Sequence, residues 1–456
     1  MSLNRPTRRG FLKISGLAAG AGIFAPNILR AEDSVTRQLN FGGIGVGGKG
    51  GSDISNIAAE ARIVALCDVD RDRLKKAKEK YPDAKTFESF REMFETMGDK
   101  LDGVTVSTPD HTHYPAAMEA IKRKKHVCVQ KPLVNRIWEA NQLQYAAKKM
   151  GVKTNMGNQG HTGEAIRVLR EWIDAGIVGT VKEIHVWTNR PIWPQGAEGA
   201  AKIKTGGEAP STLNWKEWLA QCPDVPYISG LHPFAWRGHR EYGAGAMGDM
   251  GCHLLDGPFW TCELGEPFKL ESSNEGLTDM VWPKASTVDA YFKTKLFGKV
   301  KLTWYEGGRK PERPKELDES VDWSKIIGGF IIKGSDGIIL NVGDYCNKPE
   351  LLPKKAHEAW IKSHDVEKKW ERSLAPGDPQ KELLRCIQKD KICGANFDYA
   401  VPLTKLCLLG NAAIASPGRT LHWDADQQRF QDDAQANSLL KRAAVRDGWD
   451  YAAEKL

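Results

Sequence analysis

Asp249 and His253 stand four residues apart, the spacing that brings two side chains onto one face of a helix. Histidine is the side chain best suited to take a hydroxyl proton near neutral pH, and a carboxylate one turn away can orient it or assist the proton's path. Lys131, in Gln130-Lys131-Pro132, directly follows the apolar run His126–Val129. If that run is a strand, the lysine lies at its carboxyl end, placed to polarise the oxygen of a reacting hydroxyl. Such a trio suits proton removal from an alcohol whose carbon gives up a hydride.

A carrier for the hydride is signalled by Gly45-Val46-Gly47-Gly48-Lys49-Gly50, a G-x-G-x-x-G that follows a strand-like run. Gly45, Gly47, Gly48 and Gly50 allow a tight turn and a close backbone approach to a pyrophosphate at a helix N-terminus. Asp68, 18 residues after Gly50, ends the next apolar run, where its carboxylate can accept hydrogen bonds from ribose hydroxyls. A negative charge there repels a 2′-phosphate and favours NAD over NADP, a preference tempered by the adjacent Asp70 and Arg71. Ser107-Thr108-Pro109-Asp110-His111-Thr112-His113 begins at the end of another strand-like run. Thr108, Pro109 and His111, like Gln130, are therefore expected beside the nicotinamide half of the cofactor. A zinc site shared by His111, His113 and His253 has weaker support, since an x-separated pair on a loop is thin evidence; no metal is expected.

These residues need elements to hold them. Leu39–Ile44, Ile63–Cys67, Val104–Ser107 and His126–Val129 are short apolar, β-branched runs of the kind buried in parallel sheets. Helical patterns alternate with them: Phe87, Phe90 and Phe94 share one spacing, and Ile137, Ala140 and Ala147 another, closed by Gly151. The alternation predicts a doubly wound α/β sheet over residues 38–158. From 159 to 456 the pattern changes. A helix at 164–175 precedes strands at 181–189, 287–294, 299–305 and 329–333, and helix-like stretches close the chain at 380–390, 402–415 and 433–445. Residues 190–245 are rich in Pro, Gly and Trp with little periodicity, the mark of a functional or surface-wrapping segment.

With these motifs together, and with Trp236-Arg237 … Gly248-Asp249-Met250-Gly251-Cys252-His253, the chain resembles the glucose–fructose oxidoreductase/inositol dehydrogenase (Gfo/Idh/MocA) family over nearly its whole length. The resemblance implies a Rossmann domain followed by an α/β domain with a large, mostly antiparallel sheet that makes dimer or tetramer contacts. It implies that Lys131, Asp249 and His253 form the active site. Gln130 departs from the family's usual Glu, removing a negative charge beside the lysine and changing how it handles protons. Asn189, at the end of a strand the family places near substrate, is a candidate substrate contact. Arg237 either binds an anionic group or pairs with Glu241. Trp193, Trp215, Trp218, Tyr227, Phe234 and Trp236 either face sugar rings or anchor a long loop.

The whole chain sets the remaining limits. At 456 residues, 41% apolar and 27% charged, it is long enough for two domains and has no apolar run long enough to span a membrane as an ordinary helix. Thr7-Arg8-Arg9-Gly10-Phe11-Leu12-Lys13 is a twin-arginine pattern, followed by an apolar stretch to Ala25 and an expected cleavage near Ala31. Residues 1–31 hold Arg5, Arg8, Arg9, Lys13 and Arg30 and no acidic residue, so the formal charge falls from +7 to +2 without them. That is too little to suggest nucleic acid. Nine cysteines without a Cys-x-x-Cys speak against metal clusters and a disulfide framework, and leave a single disulfide open. The expected protein is periplasmic or otherwise exported and NAD(P)-dependent, with NAD favoured, acting on a secondary hydroxyl of a sugar, glycoside or cyclitol. A redox-neutral cleavage or epimerisation with permanently held cofactor is the alternative. A cofactor-sensing binding protein is a third reading, disfavoured by the intact trio.

Overall fold

The computed structural model describes residues 37–431 and 433–455. The twin-arginine pattern and the expected cleavage at Ala31 lie outside them. Six strands, β1 (Asn40–Ile44), β2 (Arg62–Cys67), β3 (Lys85–Phe87), β4 (Gly103–Val106), β5 (His126–Val129) and β6 (Thr154–Met156), form a parallel sheet in the order β3-β2-β1-β4-β5-β6. The runs of β1, β2, β4 and β5 are largely apolar because helices cover both faces. Those helices include α1 (Lys49–Ala58), α2 (Arg71–Lys80), α3 (Phe90–Met97), α4 (Asp110–Lys122) and α5 (Ile137–Met150). Gly151 ends α5 in the left-handed conformation, φ 65°. The strand order reverses between β1 and β4, so the loops at their carboxyl ends diverge and open a crevice.

One expectation needs correction here. Phe87 is not on a helix with Phe90 and Phe94 but is the last residue of β3, and α3 begins three residues later, after an extended Ser89. All three rings enter the same buried cluster, which is why their spacing mimics a helical face.

The second sheet has nine strands in the order β15-β14-β13-β7-β12-β11-β10-β16-β17. They are β7 (Val181–Trp187), β10 (Lys269–Glu275), β11 (Ala285–Thr294), β12 (Gly298–Glu306), β13 (Gly329–Gly334), β14 (Ile338–Val342), β15 (Pro349–Leu352), β16 (Thr420–Asp424) and β17 (Arg429–Phe430); β8 (Lys204–Thr205) and β9 (Ile228–Ser229) pair separately. Only the β7–β12 pairing is parallel. Val288, Ala290, Phe292, Leu302 and Trp304 fill the inner face. On the outer face, Leu317 from the connection before β13 covers Trp187, Ile331 and Leu340.

Further helices support the crevice: α6 (Glu164–Asp174), α7 (Gly245–Leu254), α8 (Asp256–Thr261), α9 (Pro379–Gln388) and α10 (Phe397–Ile414). The last of these starts before the expected 402, because the Asn396 side chain accepts from Asp398 N and caps it. The expected helix at 433–445 is short, Ala434–Ser438. Although late in the chain, α9 returns to the first sheet, where Leu383 and Leu384 pack with Phe41, Ile57 and Cys128. Within 190–245, Leu213, Trp218, Leu219, Cys222 and Leu231 make a small core of their own. That segment is stitched to the end of β2 by Asn214 N donating to Val69 O (2.8 Å) and Arg71 N donating to Thr212 O (2.9 Å).

Candidate active site

A cavity of about 580 Å³ runs from the glycine loop to α7, lined by both halves of the chain. Its first wall is the turn between β1 and α1. Gly45 has φ 77°, and a Cβ there would lie 2.5 Å from Ser107 O. At Gly50 a Cβ would lie 1.9 Å from Gly45 O, so this glycine lets α1 approach the turn and does not itself line the cavity. Gly45, Gly47 and Gly48 do line it, and α1 has no side-chain cap; Gly50 N donates back to Gly47 O (3.0 Å), and the helix N-terminus still faces the cradle with its positive end. This cradle fits a dinucleotide pyrophosphate.

Asp68 is 8% exposed and lines the same cavity. Its Oδ2 accepts from Val46 N (2.8 Å) and its Oδ1 from Asp70 N (3.0 Å), so it braces the glycine turn as well as facing the ribose position. Burial raises its pKa although those two amides favour its charge. Around this end the cavity is closed by Glu88 and Phe90 of the first domain and by Glu217, Trp218, His232 and Pro233 of the 190–245 segment. His232 Nε2 lies 3.0 Å from Asp70 Oδ2.

At the other end α7 brings Asp249 and His253 onto one face, as their spacing required. Lys131 Nζ donates to Asp249 O (2.6 Å) and to Asp249 Oδ1 (3.0 Å). Arg237 Nε also reaches Asp249 Oδ1 (3.3 Å), and its guanidinium lies over Trp236, 4.3 Å from the ring centroid. Arg237 does not pair with Glu241, which is held by Arg136 and Arg442. Burial raises the pKa of Asp249, but Lys131 and Arg237 outweigh it, and the net shift is below the usual carboxylate value.

His253 is 5% exposed. Burial, reinforced by Lys131, drives its pKa well below the usual histidine value, so the ring is neutral. Its tautomer follows from Asn158. Asn158 Nδ2 donates to Cys252 O (2.8 Å), which turns Asn158 Oδ1 toward His253 Nδ1 (2.9 Å). An amide oxygen only accepts, so Nδ1 carries the proton and Nε2 keeps its lone pair. Asp110, at the start of α4, also lines the cavity; burial raises its pKa to about 7 although Arg237 and the Ala244 amide favour its charge.

Thr108, Pro109, Gln130, Lys131, Arg237, Asp249 and His253 all line the cavity. His111 does not. It is fully buried, with Nε2 2.8 Å from Trp218 O and Nδ1 3.3 Å from Tyr242 O, and fastens α4 to the 190–245 segment. His113 likewise lies between Pro132 O and Thr108 O, both at 2.9 Å, so these histidines are directed to backbone carbonyls and not toward His253. Asn189 is exposed and its Oδ1 accepts from Arg190, which itself lines the cavity. Of the six aromatics, Trp218, Phe234 and Trp236 reach the cavity, while Trp215 stacks on Trp218 at 4.6 Å. Gln159, Asp344 and Tyr345 are cavity residues that no motif marked, while Lys49 of the glycine motif lines the cavity too. All nine cysteines are free and buried.

Residues 39–158 match the family model described as an oxidoreductase family, NAD-binding Rossmann fold, and residues 162–265 match its C-terminal alpha/beta domain. A glycosyl hydrolase family 109 protein of Solibacter usitatus is 33% identical over 159 residues, 31% of this chain and 36% of that protein. An inositol 2-dehydrogenase of Rubrobacter xylanophilus is 27% identical over 33% of this chain and 44% of its own. The chain thus spans under half the length of these curated relatives. The WlbA dehydrogenase structure from Bordetella pertussis, in complex with NADH and UDP-GlcNAcA, has the same fold: TM-score 0.59, 16% identity, 86% of this chain and 100% of that one.

Proposed function

The chain belongs to the Gfo/Idh/MocA oxidoreductase family by both of its matched domains, and on that premise we propose that it oxidises or reduces a secondary hydroxyl of a sugar, glycoside or cyclitol with NAD. One observation carries this reading: a neutral His253 whose Nε2 bears no proton lines the same cavity as the glycine cradle, with Lys131 beside it. Gly45, Gly47 and Gly48 would hold the pyrophosphate, Asp68 the adenosine ribose, and Thr108, Pro109 and Gln130 the nicotinamide half. Bound NAD supplies the acceptor for the hydride.

The chain's own residues handle the oxygen and its proton. Two of the three Lys131 N–H groups go to Asp249, leaving one to donate to the substrate hydroxyl oxygen and stabilise negative charge there. His253 Nε2 takes the hydroxyl proton, and Asp249, kept ionised, offsets the cations around it. Carboxylates of Asp68, Glu88 and Glu217 at the adenosine end favour NAD over NADP, whose extra phosphate they would repel.

The second reading, redox-neutral cleavage or epimerisation with retained cofactor, is favoured by the 190–245 segment lying across the adenosine end. Both readings come with export through the twin-arginine machinery to the periplasm, and with a dimer or tetramer assembled on the part of the large sheet's outer face that residue Leu317 and its neighbours leave open. Mass spectrometry and absorbance of the purified, denatured protein test the cofactor first. Stoichiometric NAD(H) supports retention, and a glycoside screen then separates an oxidised product from an unoxidised sugar. A chain that arrives empty and fails to bind added NADH defeats the reading.

A further inference from the structure

Asp53 lies on α1 beneath the crevice, 1% exposed, and nothing above gives it a role. Its carboxylate accepts from four side chains on four parts of the chain. Lys49 Nζ, one turn earlier on α1, is 2.5 Å from Oδ1, and Gln380 Nε2 of α9 is 2.9 Å from the same oxygen. Ser107 Oγ, just after β4, and Gln130 Nε2, just after β5, are each 2.7 Å from Oδ2. A buried carboxylate needs donors of this kind, because leaving its charge unpaired costs far more than the contacts return. Three of the donors, Lys49, Ser107 and Gln130, also line the dinucleotide cavity.

Gln130 is wedged as well as bonded. A Cβ on Gly157 would lie 2.5 Å from Gln130 Nε2 and 2.9 Å from Gln130 Oε1, so the amide has no slack on its far side. The same-shaped carboxylate would face Asp53 at hydrogen-bonding distance with no proton between them. Two carboxylates so placed repel each other when both are ionised, and the pair takes up a shared proton as pH falls, more readily than a lone carboxyl would.

We propose that Asp53 is a positioning residue of the dinucleotide site, and that residue 130 is an amide because Asp53 is a carboxylate. The pair fixes the end of β5, from which Lys131 projects, against the helix that carries the glycine turn. The inference rests on the reading of the cavity as a dinucleotide site.

The test is NADH affinity by fluorescence titration of the full chain between pH 5 and pH 9, with melting temperatures measured alongside. Gln130→Glu is expected to weaken NADH by about tenfold or more at pH 8, the loss shrinking toward pH 5 as the two carboxyls share a proton. Asp53→Asn combined with Gln130→Glu reverses donor and acceptor, and is expected to restore affinity to within about threefold with the pH dependence gone. A purely structural defect would lower the melting temperature of Gln130→Glu while the folded fraction still binds NADH like the parent chain. Binding that Gln130→Glu leaves within about twofold at every pH overturns the proposal. So does a double variant that melts like the parent but binds as poorly as Gln130→Glu alone. Failure of the cofactor reading looks different, since there the unsubstituted chain itself would show no NADH affinity.

Discussion

Asn158 decides what His253 can do, because it holds the ring proton on Nδ1 and leaves Nε2 as a base. Lys131→Ala and His253→Ala are therefore expected to lower turnover by about 10²–10⁴-fold while NADH affinity stays near that of the parent chain. Steady-state rates with parallel fluorescence titration check this, and unchanged rates would remove both residues from the mechanism. Because burial and Lys131 depress the His253 pKa, the base form persists into acid. The acid limb of kcat/KM is expected below pH 6.5, the usual histidine value. A limb at or above 6.5 would assign the base elsewhere. Asn158→Leu strips the acceptor from a buried N–H, at a cost of about 1–3 kcal/mol in urea unfolding, and should lower turnover too. That Lys131, Asp249 and His253 come together was expected from the family resemblance and from the four-residue spacing of the last two. Asn158 was not, since it follows β6, a three-residue strand too short to show any period. Of the neighbours Asn189 and Arg190, the chosen candidate was Asn189, whereas Arg190 is the one that lines the cavity.

At the scale of elements, the glycine turn and α1 act as one unit. Gly50→Ala would push a methyl into Gly45 O, and the turn or the helix has to move. Loss of NADH affinity is expected together with about 1–3 kcal/mol of destabilisation, read by titration and by thermal unfolding. An alanine variant that binds as before would show that the turn has room the distances deny. Strands β1, β2, β4 and β5 could be read from sequence because each is buried on both faces and so nearly uniformly apolar. The two strands nearest each edge of the large sheet, β15 and β14 at one side and β16 and β17 at the other, were not read. They are short, and their composition is set by what covers them, as Leu317 covers Leu340. The segment 190–245 showed only that it was unusual. Its fold depends on contacts such as His111 with Trp218 and Asn214 with Val69, which join residues far apart in the chain.

Across the whole molecule, buried titratable groups set the response to acid. Burial lowers the pKa of His111 to about 3 and those of His113, His126 and His239 to about 4. The unfolded chain takes up these protons near pH 6.5 and the fold refuses them, so their share of stability is lost as pH falls from about 6.5 toward 4. Asp110 and Glu306, both raised by burial to about 7, act oppositely: the fold keeps protons that the unfolded chain releases near pH 4, so stability declines as pH rises from there to about 7. With His185 and His253 also lowered, and Asp68 and Glu139 also raised, six histidines stand against four carboxyls and leave a net loss on acidification. The melting temperature is expected to fall steadily from pH 7 to pH 4.5, and a rise would show that the carboxyls dominate. Because α9 supplies Leu383 and Leu384 to the first sheet and Gln380 to Asp53, 327 residues away, the amino-terminal layer lacks part of its cover until the ribosome has passed residue 388. Until then Phe41, Ile57 and Cys128 present a bare apolar strip to solvent, so the nascent chain has to be shielded or kept loose during most of its synthesis.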